Sequence, residues 1–166
     1  MLHCALALLG ALIVLCQQVS AATFNIADGD VAALRAAITP SNMNGQDDTI
    51  DLAPNGSYIL DSVDNFFNGA NGLPVISTDS GHKLVINGHG AALERNSTNS
   101  FRILQIGPGA NVTINNLTVA RGMVADSPSR GGGILSDNAI LSINNCTFSQ
   151  NQAAFGGGVH PSVLRR

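Results

Sequence analysis

With 166 residues the chain is long enough for one domain. Only 11% of its residues are charged and 45% are hydrophobic, which excludes a charge-rich disordered tail and supplies enough apolar surface for a core. The formal net charge is −3 and the eight Lys and Arg are spread thinly, so there is no basic stripe to neutralise phosphates and nucleic acid is not expected as a partner.

The chain opens with MLHCALALLGALIVLCQQVSAA, in which an apolar run from Ala5 to Leu15, too short to span a bilayer, precedes the small residues Ser20 and Ala21. Residues 1–22 therefore read as a secretory signal peptide cleaved after Ala21 or Ala22, although the leading segment offers only His3 and no Lys or Arg. A lipoprotein site at Cys16 would need a small residue before the cysteine, where Leu15 stands. Cys4 and Cys16 leave with the signal, so Cys146 remains alone. It occupies an apolar slot in a strand pattern and is expected to be buried as a small hydrophobe.

Residues 23–72 read as an N-terminal cap. Thr23 to Ile26 predicts a strand, and Asp28 and Asp30 precede a run in which Val31, Leu34 and Ile38 share one face of a helix ended by Thr39-Pro40. TIDL (Thr49 to Leu52) and SYIL (Ser57 to Leu60) predict strands around a turn at Pro54-Asn55-Gly56. Asp61 to Gly72 is a surface excursion whose Phe66 and Phe67 are expected to fold back onto an apolar end of the domain.

From Leu73 to Val159 short strand units follow one another: LPVIS, KLVING, AALER, FRILQI, NVTINNLTV, GGGIL and AILSINNCTF, with Gly, Asn or Pro between them. VTINNLTV from Val112 aligns with LSINNCTF from Leu141, so that Ile114 matches Ile143 and Leu117 matches Cys146, and GGGI at Gly131 returns as GGGV at Gly156. A repeat of short strands in the twenties of residues is the pattern of a solenoid, in which stacked coils bury an apolar column that none could bury alone. Stacking places equivalent residues over one another at about 4.8 Å. Asn115, Asn116, Asn144 and Asn145 are accordingly expected to form side-chain ladders. Roughly three coils are expected from this stacking pattern.

GGGI, LSINNCTFSQN and the second GGGV resemble coils of right-handed parallel β-helix proteins of the pectate-lyase-like superfamily. GGGI with FSQN (Phe148 to Asn151) is also similar to the repeats of polymorphic outer-membrane proteins and autotransporter passengers. The front of the mature chain looks like the CSLREA-type segment that precedes such helices. Leu34, Arg35, Ala37 and Ile38 match its core and DDTIDLAP from Asp47 matches the strand that follows, while Ala32 and Ala36 replace the family's Cys and Glu. The resemblance implies an all-β, right-handed parallel β-helix with an N-terminal strand and a short capping helix. The same scaffold carries lyases, hydrolases, adhesins and passengers, so it leaves activity open.

Candidate chemistry is sparse. Asn87 to Gly90 contains the Gly-His-Gly that polygalacturonase-like hydrolases also carry, with His89 at an exposed turn. Glycoside hydrolysis wants two carboxylates roughly 5–9.5 Å apart, and Glu94 has no partner at stacking distance. Arg121, Asp126 and Arg130 in VARGMVADSPSRGGG are the nearest approach to a lyase cluster. One aspartate makes a poor Ca²⁺ site, however, and an arginine does not readily lose a proton. His89, Arg121, Asp126 and Arg130 are thus surface candidates, and no catalytic, metal or cofactor residues are assigned. Sequons at Asn55, Asn96, Asn111, Asn116 and Asn145 arise readily in Asn- and Thr-rich coils.

HPSVLRR (residues 160–166) matches nothing before it, where the pattern calls for another coil, so the chain reads as the front of a longer, truncated helix open to self-association at its C-terminal end. The expected function is that of an exported surface or extracellular passenger. Such a passenger is adhesin-like, contacts glycan or a cell-surface ligand, and meets a membrane only through an anchor outside this chain. The alternatives are a polysaccharide lyase or hydrolase whose catalytic coils are missing, and a remnant without function.

Overall fold

The computed structural model describes residues 21–125 and 130–162; the signal segment, apart from Ala21 and Ala22, lies outside them. The elements in chain order are β1 (Thr23–Ile26), α1 (Val31–Ser41), β2 (Asp48–Leu52), β3 (Ser57–Leu60), β4 (Lys83–Asn87), β5 (Ala92–Arg95), β6 (Leu104–Ile106), β7 (Asn111–Asn115), β8 (Thr118–Ala120), β9 (Ile134–Asp137), β10 (Ile140–Asn144), β11 (Thr147–Ser149) and β12 (Val159–Ser162). They form three parallel sheets, β1-β2-β4-β7-β10, β3-β5-β8-β11 and β6-β9-β12. The chain is a right-handed parallel β-helix, with one short helix among the described residues.

Register explains the core. Ile50, Ile86, Ile114 and Ile143 pair in succession through the first sheet, as do Tyr58, Leu93, Val119 and Phe148 through the second and Leu104, Ile134 and Val159 through the third. Alternate residues of each strand point inward, so these rows form the buried column. In the last coil Leu141, Ile143, Cys146 and Phe148 are only partly buried, and Ile140 is 65% exposed. Cys146 packs against the column and its thiol lies 3.3 Å from the Asn144 carbonyl.

The first sheet has five strands rather than the three coils anticipated. Ile26, Ile50, Leu52, Tyr58 and Leu60 of the N-terminal segment are all buried and continue the same column, so TFNI, TIDL and SYIL are coil strands in their own right. β12 likewise carries the third sheet past Val159 into His160, Pro161 and Ser162. Pro161 sits in an edge strand, where its missing N–H costs no ladder bond. LPVIS contributes a single bridge, Ile76 to Ile106.

α1 covers the N-terminal end with Leu34, Ala37 and Ile38 buried. Asp30 caps it by accepting from the Ala33 N–H at 2.8 Å. The helix runs one residue past Pro40, and the Ser41 hydroxyl donates to the Ala37 carbonyl at 2.9 Å. Arg35 leaves the helix to donate to the carbonyls of Ser62 (3.0 Å) and Gly72 (2.9 Å), tying down the 61–72 excursion. That excursion does not bring its aromatics inward: Phe66 is 77% and Phe67 60% exposed, because its polar residues, rather than its aromatics, anchor it to the coils.

The GGG triplets answer to close approach between coils. A Cβ on Gly132 would land on the Gln152 carbonyl and one on Gly133 on the Gly158 carbonyl. Asn151, the last residue of FSQN, fills the space beside them. Its Oδ1 accepts from the Gly122 N–H and its Nδ2 donates to the Val119 carbonyl, both at 2.8 Å. Gly133→Ala is expected to destabilise the chain by about 1–3 kcal/mol, read as a lower denaturation midpoint, because main chain rather than a flexible side chain stands in the way.

Tyr58, the one tyrosine, is fully buried. Its hydroxyl donates to the Ile26 carbonyl (3.0 Å) and accepts from the Ala53 N–H (2.9 Å), and burial raises its pKa above the ordinary tyrosine value. The folded state therefore favours the protonated phenol. This contribution to stability is present below about pH 10, the value for an unfolded chain, and is lost as pH rises towards the higher folded pKa. Near-ultraviolet titration should show phenolate appearing later in the native protein than in denaturant.

Candidate functional site

Three regions gather the polar residues, and two of them arise where a coil departs from the regular repeat. At the bend between the first and second sheets, only two residues separate β7 from β8 and β10 from β11, whereas four separate β2 from β3 and β4 from β5. Asn116 (φ 50°) and Asn145 (φ 52°) are the short bends' left-handed residues, a conformation that Asn tolerates well. Both are exposed. The side-chain ladder runs one residue earlier. Asn144 Nδ2 donates to Asn115 Oδ1 at 2.9 Å, Asn115 Nδ2 to Asn87 Oδ1 at 2.9 Å, and Asn87 Nδ2 to Asp51 Oδ1 at 2.8 Å. Asn115 and Asn144 are therefore rungs and Asn116 and Asn145 are bend residues, because a left-handed residue cannot keep its side chain in the row of the strand before it.

The longer β4–β5 bend carries His89 outward at φ 50°, with Nε2 3.3 Å from Asp51 Oδ1 at the foot of the ladder. Two shallow grooves flank the imidazole. One, of about 470 Å³, includes Asn25, Asp51 and Pro54, and the other, of about 380 Å³, includes Asn116, Thr118, Asn145 and Thr147. Among the described residues Asp51 is the sole carboxylate lining either, and it already accepts from Asn87. The corner thus offers amides, hydroxyls and an imidazole, which suit hydrogen bonding to a polar ligand, whereas two-carboxylate glycoside hydrolysis would need a second acid beside Asp51.

At the next bend Arg95, Arg121 and Gln150 stack. Arg95 Nε donates to the Arg121 carbonyl at 2.8 Å, Arg121 Nε to Gln150 Oε1 at 3.1 Å, and Arg121 Nη1 is ion-paired with Glu94. Arg121 and Glu94 therefore neutralise each other. Arg130 is exposed and bridges to Phe155 through its main chain on the third side, away from this stack in role. Asp126 lies outside the described residues. Among the described residues no group of three His, Cys, Asp or Glu side chains is placed to hold a metal ion, and no helix is long and apolar enough to cross a membrane.

The third region, at residues 64–72, was not legible as a site. Asn71 is fully buried, with Nδ2 donating to Asn65 Oδ1 (2.7 Å) and to the carbonyls of Phe67 and Gly69 (2.9 Å each). Arg102, 2% exposed, reaches it from beside β6, and its Nη1 donates to the Asn68 carbonyl, Asn71 Oδ1 and Gln105 Oε1 at 2.9–3.0 Å. Burial lowers the pKa of this guanidinium, which remains a cation. The signal available was the density of Asn and Gly in DNFFNGANG, which marks a loop held by its own amides.

No family model, curated protein or solved structure matches the chain. The fold and these three regions are accordingly what defines it. Asn115→Ala removes the central rung and both of its bonds, and is expected to cost about 1–2 kcal/mol in chemical denaturation. Asn116→Ala, which removes no ladder bond and changes a left-handed residue to one that tolerates it less well, is expected to cost less than about 1 kcal/mol.

Proposed function

We propose that the protein is an exported surface or extracellular β-helix of the passenger type: a rigid stalk that contacts glycan or a cell-surface ligand through its bends and loops. The observation that carries this reading is how the coil carboxylates are used. Asp51 ends the amide ladder, Asp48 accepts from the Ala22 N–H, Asp79 from the Gly45 N–H, Asp47 from the Lys83 N–H, and Glu94 pairs with Arg121. A lyase or hydrolase on this scaffold would hold its acidic groups free and close together; here they hold the coils. The hydrogen-bonding residues left at the surface, among them Asn116, Asn145, Thr118 and Thr147, suit recognition of hydroxyl-rich ligands. Export rests on the leader read from residues 1–22.

Expression of the full chain in a secreting host tests both parts. The expected product begins at Ala22 or Thr23, is recovered from the medium or cell surface, and adheres to glycan-coated beads above a size-matched unrelated protein. It releases no unsaturated or reducing-end product from polygalacturonate. Turnover would overturn the passenger reading, and recovery of an unprocessed chain in the cytoplasm would overturn export.

A further inference from the structure

Phe66 and Phe67 pose a question the fold does not answer. Two adjacent phenylalanines lie 77% and 60% exposed on a loop whose main chain is bonded at nearly every step. Asn65 Oδ1 accepts from the Phe67 N–H at 3.1 Å and Asn65 Nδ2 donates to the Leu73 carbonyl at 3.0 Å. Asn71 and Arg102 grip the loop from beneath, and Arg35 pairs with Asp64 at 3.6 Å from the helix side. Burying Arg102 among neutral oxygens is costly, and its Nε finds no acceptor among the described residues. A loop needed only as a connection could dispense with both the buried cation and the exposed rings.

Beside Phe67 lies a groove of about 510 Å³, within the range of small-ligand sites. Phe67, Pro74, Val75 and Pro108 supply apolar surface, and Ser77 and Thr78 are among the polar residues that join them. An aromatic face on a firmly held loop, with prolines and hydroxyl groups in the same groove, matches a pyranose ring. The ring's C–H face meets the electron-rich face of the phenyl and its equatorial hydroxyls find hydrogen-bond partners. The charges at the groove add one constraint. Among the described residues the groove is lined by one carboxylate, Asp64, which Arg35 already pairs, and by no Lys or Arg, so a uronate would find no cation of the lining to receive it. The structure assigns this groove as a binding site for a neutral sugar unit of a glycan, with Phe67 as the stacking platform and Asn71 and Arg102 as the residues that hold the platform in place. The assignment rests on the reading of the chain as a glycan-contacting surface protein and gives that contact an address.

Calorimetric titration of the full chain with neutral hexasaccharides of glucose, mannose and galactose, with hexagalacturonate and with an extended apolar hexapeptide tests it. At least one neutral sugar should bind and hexagalacturonate should bind more weakly. Phe67→Ala should weaken the neutral sugar about tenfold and Phe67→Tyr should retain it. Because Phe67 is exposed, its variants should fold, checked by an unchanged circular dichroism spectrum and Tyr58 titration. A neutral sugar that binds Phe67→Ala as well as the native chain overturns this site and leaves the passenger reading standing. Failure of every neutral sugar, or capture of the peptide through Phe67 instead, overturns the site, while export and adhesion still decide the passenger reading. Turnover of polygalacturonate would overturn the passenger reading without moving the Phe67 result.

Discussion

Parallel main-chain pairing at a spacing of about 4.8 Å places each residue of a coil over its counterpart in the next, and the rest of the molecule follows from that constraint. A row must be filled by residues that tolerate their own kind as neighbours. Branched aliphatics do so inside, where Ile50, Ile86, Ile114 and Ile143 stack. Amides do so at the strand ends, where each can donate to one neighbour and accept from the other, as from Asn144 down to Asn87. Carboxylates do not, and the run of side-chain bonds from Asn144 ends on one, Asp51, which can only accept.

The same constraint explains why the surface regions lie where they do. Strands in a solenoid are nearly interchangeable, since each must match the strands above and below. Bends are free to differ. Two extra residues between β4 and β5 push His89 out beside Asp51, and the long excursion at 61–72 places Phe66 and Phe67 in solvent. Such departures need their own support. The excursion obtains it from Arg35, Asn71 and Arg102, whose donors satisfy carbonyls that no neighbouring strand reaches.

Much of the fold was legible because repetition makes a structural signal visible twice. The alignment of VTINN with LSINN set the register of β7 against β10, and GGGI with GGGV that of β9 against β12. The earlier coils were harder to see. TIDL and KLVIN share the inward alternation of the later strands but lack the doubled asparagine, so Asp51 and Asn87 were not recognised as members of the ladder. The site at 64–72 escaped for a different reason. Hydrophobicity predicts burial for paired phenylalanines and exposure for an arginine at the start of FRILQI, and the protein reverses both.

What the sequence by itself determined is the coil: short alternating strands, bends of Asn and Gly, an acidic helix cap and the residues fit to stack. Those follow from local periodicity and backbone preference, which act over a few residues and leave their mark on a few residues. What only the tertiary structure decided is which unlike residues meet. Asp51 reaches His89 from 38 positions away, Arg102 reaches Asn71 from 31, and Arg35 reaches Gly72 from 37. These contacts depend on where whole coils come to lie over one another. No local pattern encodes that, because the energy selecting it belongs to the packed column and not to the segments that later touch.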